Sequence, residues 1–375
     1  MTPDSLPPAS FPAPEPPKKV GWFKKLKIWA KQNPKLAILY LSLAVLGAMA
    51  LTILLVSALL PQAPPSTLKV SNLKKPDAII YRSPLTGITV DSETATKQAV
   101  TAIMLENSPD ARPQSGLKEA GVVYEAIAEG GITRFLALYQ EAKPDLIGPV
   151  RSVRMYYVDW AAAYNASIAH IGGSAAALAE VRSGNYRDID QFFNGSYYWR
   201  ATDRYAPHNV YTSFAKLDAL NAAKGYTQST FTGWPRQDGK ASKEPNATSI
   251  AINFSSALFN THYDYDPATN TYLRSAGGSA SNDREKGQIA PNVVIAMKVA
   301  MSTVQEDGLR ESITTIGTGE ATIFQNGTAT PVTWKKASRA DPIHFVGSDG
   351  NEVALNRGQT WVAAVPASGG SVSWQ

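Results

Sequence analysis

The chain has 375 residues, of which 44% are apolar and 18% are charged, and it contains 25 Pro, 27 Gly and no Cys. These values exclude a fully disordered chain, a collagen and a disulfide scaffold. Because the chain has no cysteine, it cannot form disulfides, thiolate metal sites or a lipid attachment to a cysteine. The net charge of +5 comes entirely from residues 1–61, which hold seven Lys and two acidic residues. Because the remainder is neutral, we expect no nucleic-acid partner.

An uncharged apolar run of 25 residues extends from Leu36 to Leu60, which is long enough to cross a bilayer and predicts the lipid bilayer as a partner. The run exceeds the apolar region of a typical signal peptide, so an uncleaved transmembrane helix is favoured over a cleaved leader. Because most nearby Lys precede it, we predict a single-pass protein of the cell membrane, with a cytoplasmic N-terminus and residues 62–375 outside. A basic, Pro-rich cytoplasmic tail (1–35) and a linker (61–79) flank the span.

Residues 80–225 have the pattern of an α/β domain. Short apolar runs bounded by Gly, Pro or charge predict strands, and longer periodic segments predict helices, two of which begin at the N-cap candidates Ser174 and Ser213. The predicted strands are 99–105, 122–128, 132–139 and 166–171, and the predicted helices are 155–164, 174–181 and 213–224.

The composition changes near residue 225. Residues 226–247 are polar and rich in Gly, Pro, Ser and Thr, which predicts a linker or a long loop. Strand patterns dominate residues 248–375, and Asn326-Gly327 between two apolar runs predicts a hairpin turn. We expect this strand-rich C-terminal domain to stabilise or extend the first domain and to carry no catalytic centre. The predicted fold class is therefore α/β (α+β), with a strand-rich C-terminal domain and one N-terminal transmembrane helix.

Arginine is concentrated in residues 112–209, which contain eight Arg and two Lys, whereas the rest of the outer part has seven Arg and twelve Lys. Arg is favoured where a planar donor meets a carboxylate or a phosphate. Several of these Arg adjoin Gly or Pro in loops, where binding groups collect, although internal ion pairs are the alternative. The predicted ligand-binding residues are Arg112, Gln114, Ser115, Arg134, Arg151, Arg154, Arg204, His208 and Asn209.

Acid–base candidates occur in the same stretch. Glu125 and Glu129 share one face of a predicted strand, where two carboxylates can exchange protons, although carboxylates more often pair with arginines such as Arg134 or Arg151. His208 lies in a loop fixed by a proline and is the third catalytic candidate. The sequence contains no phosphate-binding loop, nucleophile elbow, dinucleotide fingerprint or helical zinc motif. It predicts neither a metal nor a cofactor, and it leaves open whether the protein is an enzyme.

Eight segments resemble, in order, those of the YerB-like family. They are SPLTG (83–87), ARPQSGL (111–117), VVYEAIAEGGITRFLALYQ (122–140), IGPVRSVR (147–154), IGGS (171–174), WRATDRYAPHNVYTS (199–213), FQNGTATPVTWKK (324–336) and NRGQTWVAAVP (356–366). The family has no established reaction. The resemblance implies an extracytoplasmic bacterial protein with an α/β YerB-like domain and both parts of the family. Members are typically lipoproteins, and this chain departs from them because it has no Cys.

The favoured interpretation is a membrane-anchored extracytoplasmic protein that binds an anionic or polar ligand of the cell envelope, such as a polymer with phosphate or carboxylate groups. One alternative is a hydrolase or transferase acting on an envelope polymer, with Glu125 or Glu129 as the acid–base residue and His208 assisting. Another is a scaffold for an envelope protein partner. A glutamate and His208 that reach one open pocket would favour chemistry, and scattered positions would favour binding or structure.

Overall fold

The computed structural model describes residues 21–59, 79–304 and 310–375. The chain forms two units, Met1–Asp77 and Ala78–Gln375, which are described separately. The Pro-rich part of the predicted tail and nearly all of the predicted linker lie outside the described residues.

The first unit contains two helices, α1 (Trp22–Gln32) and α2 (Pro34–Leu59). α2 has 26 residues, none of them buried, and its most apolar stretch has a mean hydropathy of 2.4. At 1.5 Å per residue, α2 is about 39 Å long, which exceeds the hydrocarbon core of a bilayer. Its length and composition therefore allow α2 to cross a membrane. It begins two residues before the predicted span and covers all of that span except Leu60, which lies outside the described residues. Helix α1 falls within the predicted tail and was not expected from the sequence.

The helices of the second unit are α3 (Glu93–Thr96), α4 (Met155–Ala162), α5 (Ala175–Val181) and α6 (Phe214–Ala223), and short 3-10 turns cover Pro109–Ala111, Leu117–Glu119 and Gly195–Tyr197. The strands are, in chain order, β1 (Tyr81–Arg82), β2 (Thr89–Val90), β3 (Thr101–Glu106), β4 (Val122–Glu129), β5 (Ile132–Tyr139), β6 (Ser167–Ala169), β7 (Arg187–Asp188), β8 (Trp199–Arg200), β9 (Val210–Tyr211), β10 (Arg236–Gln237), β11 (Ser249–Asn253), β12 (Thr261–Asp266), β13 (Thr271–Ala276), β14 (Ser279–Ala280), β15 (Asn282–Asp283), β16 (Gly287–Gln288), β17 (Val293–Val299), β18 (Met301–Thr303), β19 (Glu311–Ile313), β20 (Gly317–Gln325), β21 (Thr328–Lys336), β22 (His344–Val346), β23 (Leu355–Asn356), β24 (Thr360–Pro366) and β25 (Ser371–Trp374).

A mixed sheet of ten strands crosses the second unit in the order β22-β21-β20-β17-β24-β4-β5-β3-β6-β7. β24 pairs in parallel with β4, with Val362 opposite Tyr124. This pair joins the strands of residues 80–225 to those of residues 248–375. The two predicted domains therefore share one sheet.

The central strands are buried on both faces, which explains why they read as continuous apolar runs. In β4, Val122, Tyr124 and Ala126 belong to one core cluster, and Val123 and Ile127 belong to the other, because side chains alternate along a strand. Helices α4 and α5 contribute to the first cluster. Helix α6 and a second sheet, β14-β13-β12-β11-β25, contribute to the other. The result is a three-layered α+β fold, which confirms the predicted fold class.

Several local predictions are confirmed at the ends of elements. The side chains of Ser174 and Ser213 accept hydrogen bonds from backbone N–H groups three residues further on, as N-caps do. Asn326 and Gly327 have φ angles of 59° and 75° and join β20 to β21. Positive φ at both central residues is what the tight hairpin turn requires.

Candidate functional site

Three loops meet at the carboxyl end of β3, which runs parallel to β6; ligands often bind at this edge of α/β sheets. The first loop follows Glu106, the second contains Pro149, and the third leads into β9 at Val210. The backbone N–H of Glu106 donates to the carbonyl of Pro149 at 3.0 Å, and the N–H of Val150 donates to the carbonyl of Val210 at 2.7 Å. These bonds fix the loops relative to the strand end, so that their side chains can form one site.

The carboxylate of Glu106 is 4% exposed and contacts polar groups from all three loops. Its Oε1 lies 3.0 Å from Nδ1 of His208 and 3.3 Å from Nε of Arg151, and it accepts a hydrogen bond from Oγ of Ser108 at 3.0 Å. Its Oε2 is buried without a hydrogen-bond partner among the described residues. A carboxylate bound to one ring nitrogen fixes the orientation of a histidine. Nε2 of His208, which lies 4.0 Å from Oδ2 of Asp110, is therefore left for other contacts.

His208 lines an open pocket of about 700 Å³. The residues that line it come from both halves of the sequence. They are Asp110, Pro113, Asp203, Arg204, Tyr205, Ala206, His208 and Arg284. Tyr205 is 91% exposed, so most of its ring faces solvent. The pocket is therefore polar, carries charges of both signs and includes an exposed aromatic ring.

The two guanidinium groups of the pocket are held differently. Arg204 donates to the backbone carbonyls of Asp110 at 2.9 Å and Pro113 at 2.6 Å, and both of these acceptors are neutral. Arg284 lies 2.6 Å from Asp203, and the side chains are 40% and 48% exposed. Their hydrogen bond lowers the pKa of Asp203 and raises the pKa of Arg284. Because an exposed pair contributes little stability, Arg284 can exchange this partner for a charged ligand.

Of the predicted binding residues, Arg204 and His208 line the pocket, and Arg151 is connected to it through Glu106. Asn209 supports the loop behind them. Its Oδ1 accepts a hydrogen bond from Arg200 at 2.7 Å, and its Nδ2 donates to the backbone carbonyl of Arg204 at 3.3 Å.

Arg112, Gln114 and Ser115 lie in the loop that follows β3. Arg112 donates from Nε to Oδ1 of Asn107 at 3.0 Å, and Gln114 donates to the backbone carbonyl of Glu106 at 2.8 Å. Ser115 is fully buried, and its hydroxyl lacks a hydrogen-bond partner among the described residues. The contacts of Arg112 and Gln114 fix the loop that carries Asp110 and Pro113.

Glu129, Arg134 and Arg154 form a separate ion-pair cluster. Oε1 of Glu129 lies 2.8 Å from Nη2 of Arg134, and Oε2 contacts Arg154. Arg134 is 2% exposed and Arg154 is 5% exposed. Burial raises the pKa of Glu129, but the two guanidinium groups outweigh this effect, so that its pKa lies below the ordinary value. The pairing of Glu129 with Arg134, which the sequence favoured, is confirmed. Two of the predicted ligand-binding residues, Arg134 and Arg154, therefore take part in ion pairs within the protein.

Glu125 is fully buried and pairs with Arg274, not with Arg134 or Arg151 as the sequence favoured. The reason is that β13, which carries Arg274, packs over this face of the central sheet. Trp361 donates to Oε2 of Glu125 at 2.9 Å. Neither Glu125 nor Glu129 joins His208 in the pocket, and Glu106 is the carboxylate that contacts this histidine.

Sequence reasoning missed Glu106, Asp110, Asp203 and Arg284. Glu106 ends an apolar strand, and a charged side chain at the end of a buried strand is the signal that could have identified it. Arg284 comes from the other half of the chain, and no local pattern connects it with the loop around His208. Within residues 21–59, 79–304 and 310–375, no group of three or more acidic or histidine side chains is arranged to hold a metal ion.

The mixed α+β fold and the ordered motifs indicate a protein of the YerB-like class, and comparisons with known proteins agree with this assignment. The family described as "Protein of unknown function (DUF3048) N-terminal domain" matches residues 85–227. Its companion, the DUF3048 C-terminal domain, matches residues 250–362. The chain therefore belongs to this family of unknown function, the YerB-like family indicated by its motifs.

One relative is the "Putative lipoprotein YerB" of Bacillus subtilis (strain 168), which is 32% identical over 291 residues, or 76% of this chain and 86% of the relative. The crystal structure of the YerB protein from Bacillus subtilis matches with a TM-score of 0.70 at 31% identity, and the match covers 78% of this chain and 99% of that chain. The family and the mixed α+β fold predicted from the sequence are thereby confirmed.

Proposed function

We propose that this chain is an extracytoplasmic protein anchored in the cell membrane by α2, with its N-terminus in the cytoplasm and residues 62–375 outside. Two observations support this proposal. α2 has 26 residues and no buried side chain, and seven Lys precede or adjoin it, as the positive-inside bias requires for this orientation. The relative is named "Putative lipoprotein YerB". This chain has no Cys for such a lipid, and α2 takes the role of the anchor.

The pocket beside His208 binds an acidic glycan of the cell envelope. The observation that carries this proposal is that Arg204, which donates to neutral carbonyl groups, and Arg284, whose ion pair is exposed, line one pocket of about 700 Å³. Guanidinium groups recognise phosphate and carboxylate through paired hydrogen bonds. Asp110 offers a carboxylate to sugar hydroxyls, and the ring of Tyr205 offers a flat surface for stacking on a sugar. The volume lies in the range of small-ligand sites.

Calorimetric titration of the full chain in detergent tests this function. The probes are a phosphorylated glycan, a uronic-acid glycan and a neutral glycan of similar length. We expect binding of an acidic glycan, and Arg284→Gln should weaken it about tenfold through the loss of a charge-assisted contact. Lys97→Gln is the matched control, because it removes an exposed ion pair with Glu93 outside the pocket. The proposal fails when the unaltered chain binds neither acidic glycan. It also fails when Arg284→Gln and Lys97→Gln bind the acidic glycan with equal affinity.

A second candidate function is hydrolysis or group transfer on an envelope polymer, and the contact between Glu106 and His208 favours it. A carboxylate that orients a histidine in an open pocket is a common arrangement for a general base. His208 would take a proton from the water or hydroxyl that attacks a phosphate or acyl ester, and would give it to the departing ester oxygen as the bond to that oxygen breaks. Arg204 would stabilise the negative charge that develops. Oγ of Ser108 contacts Nδ1 of His208 at 3.2 Å, the nitrogen that faces Glu106, so Ser108 is poorly placed as a nucleophile activated by Nε2.

Product analysis by mass spectrometry distinguishes the two functions. The full chain is incubated with the acidic glycan that binds best. Turnover that falls on the order of a hundredfold in His208→Gln, but not in Lys97→Gln, would establish the general-base role. Binding without any product would leave recognition as the function of the pocket.

A further inference from the structure

Helix α1 has an apolar face and a basic face. Trp22, Leu26 and Trp29 follow the spacing i, i+4, i+7, which places them on one side of the helix. The lysines on the opposite side are Lys24, Lys27 and Lys31. None of the residues of α1 is buried, and Trp22 is 67% exposed. An isolated helix of eleven residues is marginally stable in water, so this helix needs a surface that covers its apolar face.

The chain bends between α1 and α2. The backbone N–H of Asn33 closes the last turn of α1 on the carbonyl of Trp29 at 2.9 Å, and Pro34 begins α2, a position that proline favours. In one continuous helix, Trp29 and Tyr40 would be separated by roughly 16 Å along the axis. Their ring centroids are instead 6.0 Å apart. α1 is therefore turned relative to α2 and does not extend its axis.

The inner side of this bend is an apolar concavity of about 460 Å³. The residues that line it come from both helices. They are Leu26, Trp29, Ala30, Ala37, Ile38, Tyr40 and Leu41. The apolar face of α1 is thus continuous with the apolar surface of α2, so that whatever surrounds the start of α2 also contacts the tryptophan face of α1.

We infer that α1 lies in the headgroup region of an anionic membrane leaflet, with its tryptophan face toward the acyl chains and its lysines toward the phosphates. This inference rests on the proposed anchoring by α2. Residues 21–59 contain five Lys and no acidic residue, so the charge of the segment is complementary to anionic lipid and unsuited to a basic partner. Tryptophan is enriched at the boundary between membrane and water, and a basic amphipathic helix next to a membrane span typically lies in this plane.

The lack of cysteine in the chain allows direct labelling at single sites. The full chain is placed in lipid nanodiscs, in which both membrane faces are open to reagents. Leu26→Cys reports on the apolar face, and Lys24→Cys reports on the basic face two residues away. In discs that contain phosphatidylglycerol, a water-soluble maleimide should react on the order of fivefold more slowly at position 26 than at position 24, after normalisation to the rates in denaturant. Equal rates would overturn the inference.

Discs of phosphatidylcholine alone test the role of lipid charge. There, the protection at position 26 should fall at least about twofold, and adding Lys27→Gln and Lys31→Gln should cause the same loss in the anionic discs. Unchanged protection in both lipids would overturn the assignment to anionic lipid. Retention of the chain in both kinds of disc tests the anchor separately, so a failed α1 inference and a failed α2 anchor give different results.

Discussion

Glu125 and Arg274 form a buried ion pair that connects the two halves of the sequence. Nη2 of Arg274 lies 3.0 Å from Oε1 and 2.9 Å from Oε2 of Glu125, and the guanidinium carbon lies 4.6 Å from the ring centroid of Trp361. Burial lowers the pKa of Arg274, but the facing carboxylate more than offsets this effect, so that its pKa is raised. The guanidinium group of Arg274 is therefore charged, and its contacts with Glu125 connect β13 of the second sheet to β4 of the central sheet.

Glu125→Gln is predicted to destabilise the protein strongly. Removing one partner leaves the guanidinium of Arg274 buried without a counter-charge, which costs about 3–5 kcal/mol. Chemical denaturation of the full chain in detergent, followed by tryptophan fluorescence, measures this change. The matched control is Asp218→Asn, which breaks an exposed pair with Lys143 and should cost less than about 1 kcal/mol. Similar small losses in both variants would contradict the structural role of the buried pair.

The shared sheet predicts that residues 79–247 do not fold alone. Without β24, the buried strand β4 has an unpaired edge, and Glu125 loses both Arg274 and Trp361. We expect this fragment to be insoluble or to unfold without cooperativity, and co-expression with residues 248–375 to restore a soluble complex. A fragment that melts in one sharp transition by circular dichroism would refute this prediction and would support two independent domains.

Glu129 is predicted to contribute to acid sensitivity. Its pKa is lower in the folded protein than the ordinary value of 4.5, so it contributes stability above pH 4.5 and loses that contribution as the pH falls through its lowered pKa. Glu129→Gln should therefore cost about 2 kcal/mol at pH 7, as expected for lost hydrogen bonds between charged groups, and the difference from the unaltered protein should shrink below pH 4.5. Denaturation curves at a series of pH values measure this difference. Glu93→Gln, at an exposed pair, is the control, and a constant gap for Glu129→Gln would contradict the assignment.

Much of the secondary structure could be predicted because its signals are local. The apolar runs of β4 and β5, the caps Ser174 and Ser213 and the turn at Asn326 depend on neighbouring residues only. The pairing of β4 with β24 depends on residues far apart, as the hydrogen bond between Glu125 and Trp361 illustrates at a separation of 236 residues. No periodicity in either segment specifies which strand it joins.

The candidate site could be predicted only in part for the same reason. The loops around Arg204 and His208 were found because Pro and charged residues are adjacent there. The sequence did not distinguish Arg204, which lines the pocket, from Arg134, which pairs with Glu129, because residue type does not specify what a side chain faces. Arg284 reaches the pocket only through the packing of the second half against the first.

The ring of Tyr205 provides the sharpest test of the glycan assignment. Its side chain is 91% exposed beside the pocket, so Tyr205→Ala should leave the melting temperature unchanged while it removes the stacking surface. We expect about a fivefold loss of affinity for the acidic glycan, which matches an aromatic contact of roughly 1 kcal/mol, and Tyr205→Phe should retain the affinity. Phe192→Ala, at an exposed ring outside the pocket lining, is the control. Unchanged affinity in Tyr205→Ala together with a loss in Arg284→Gln would indicate recognition by charge alone, and the sugar would then have no part in binding.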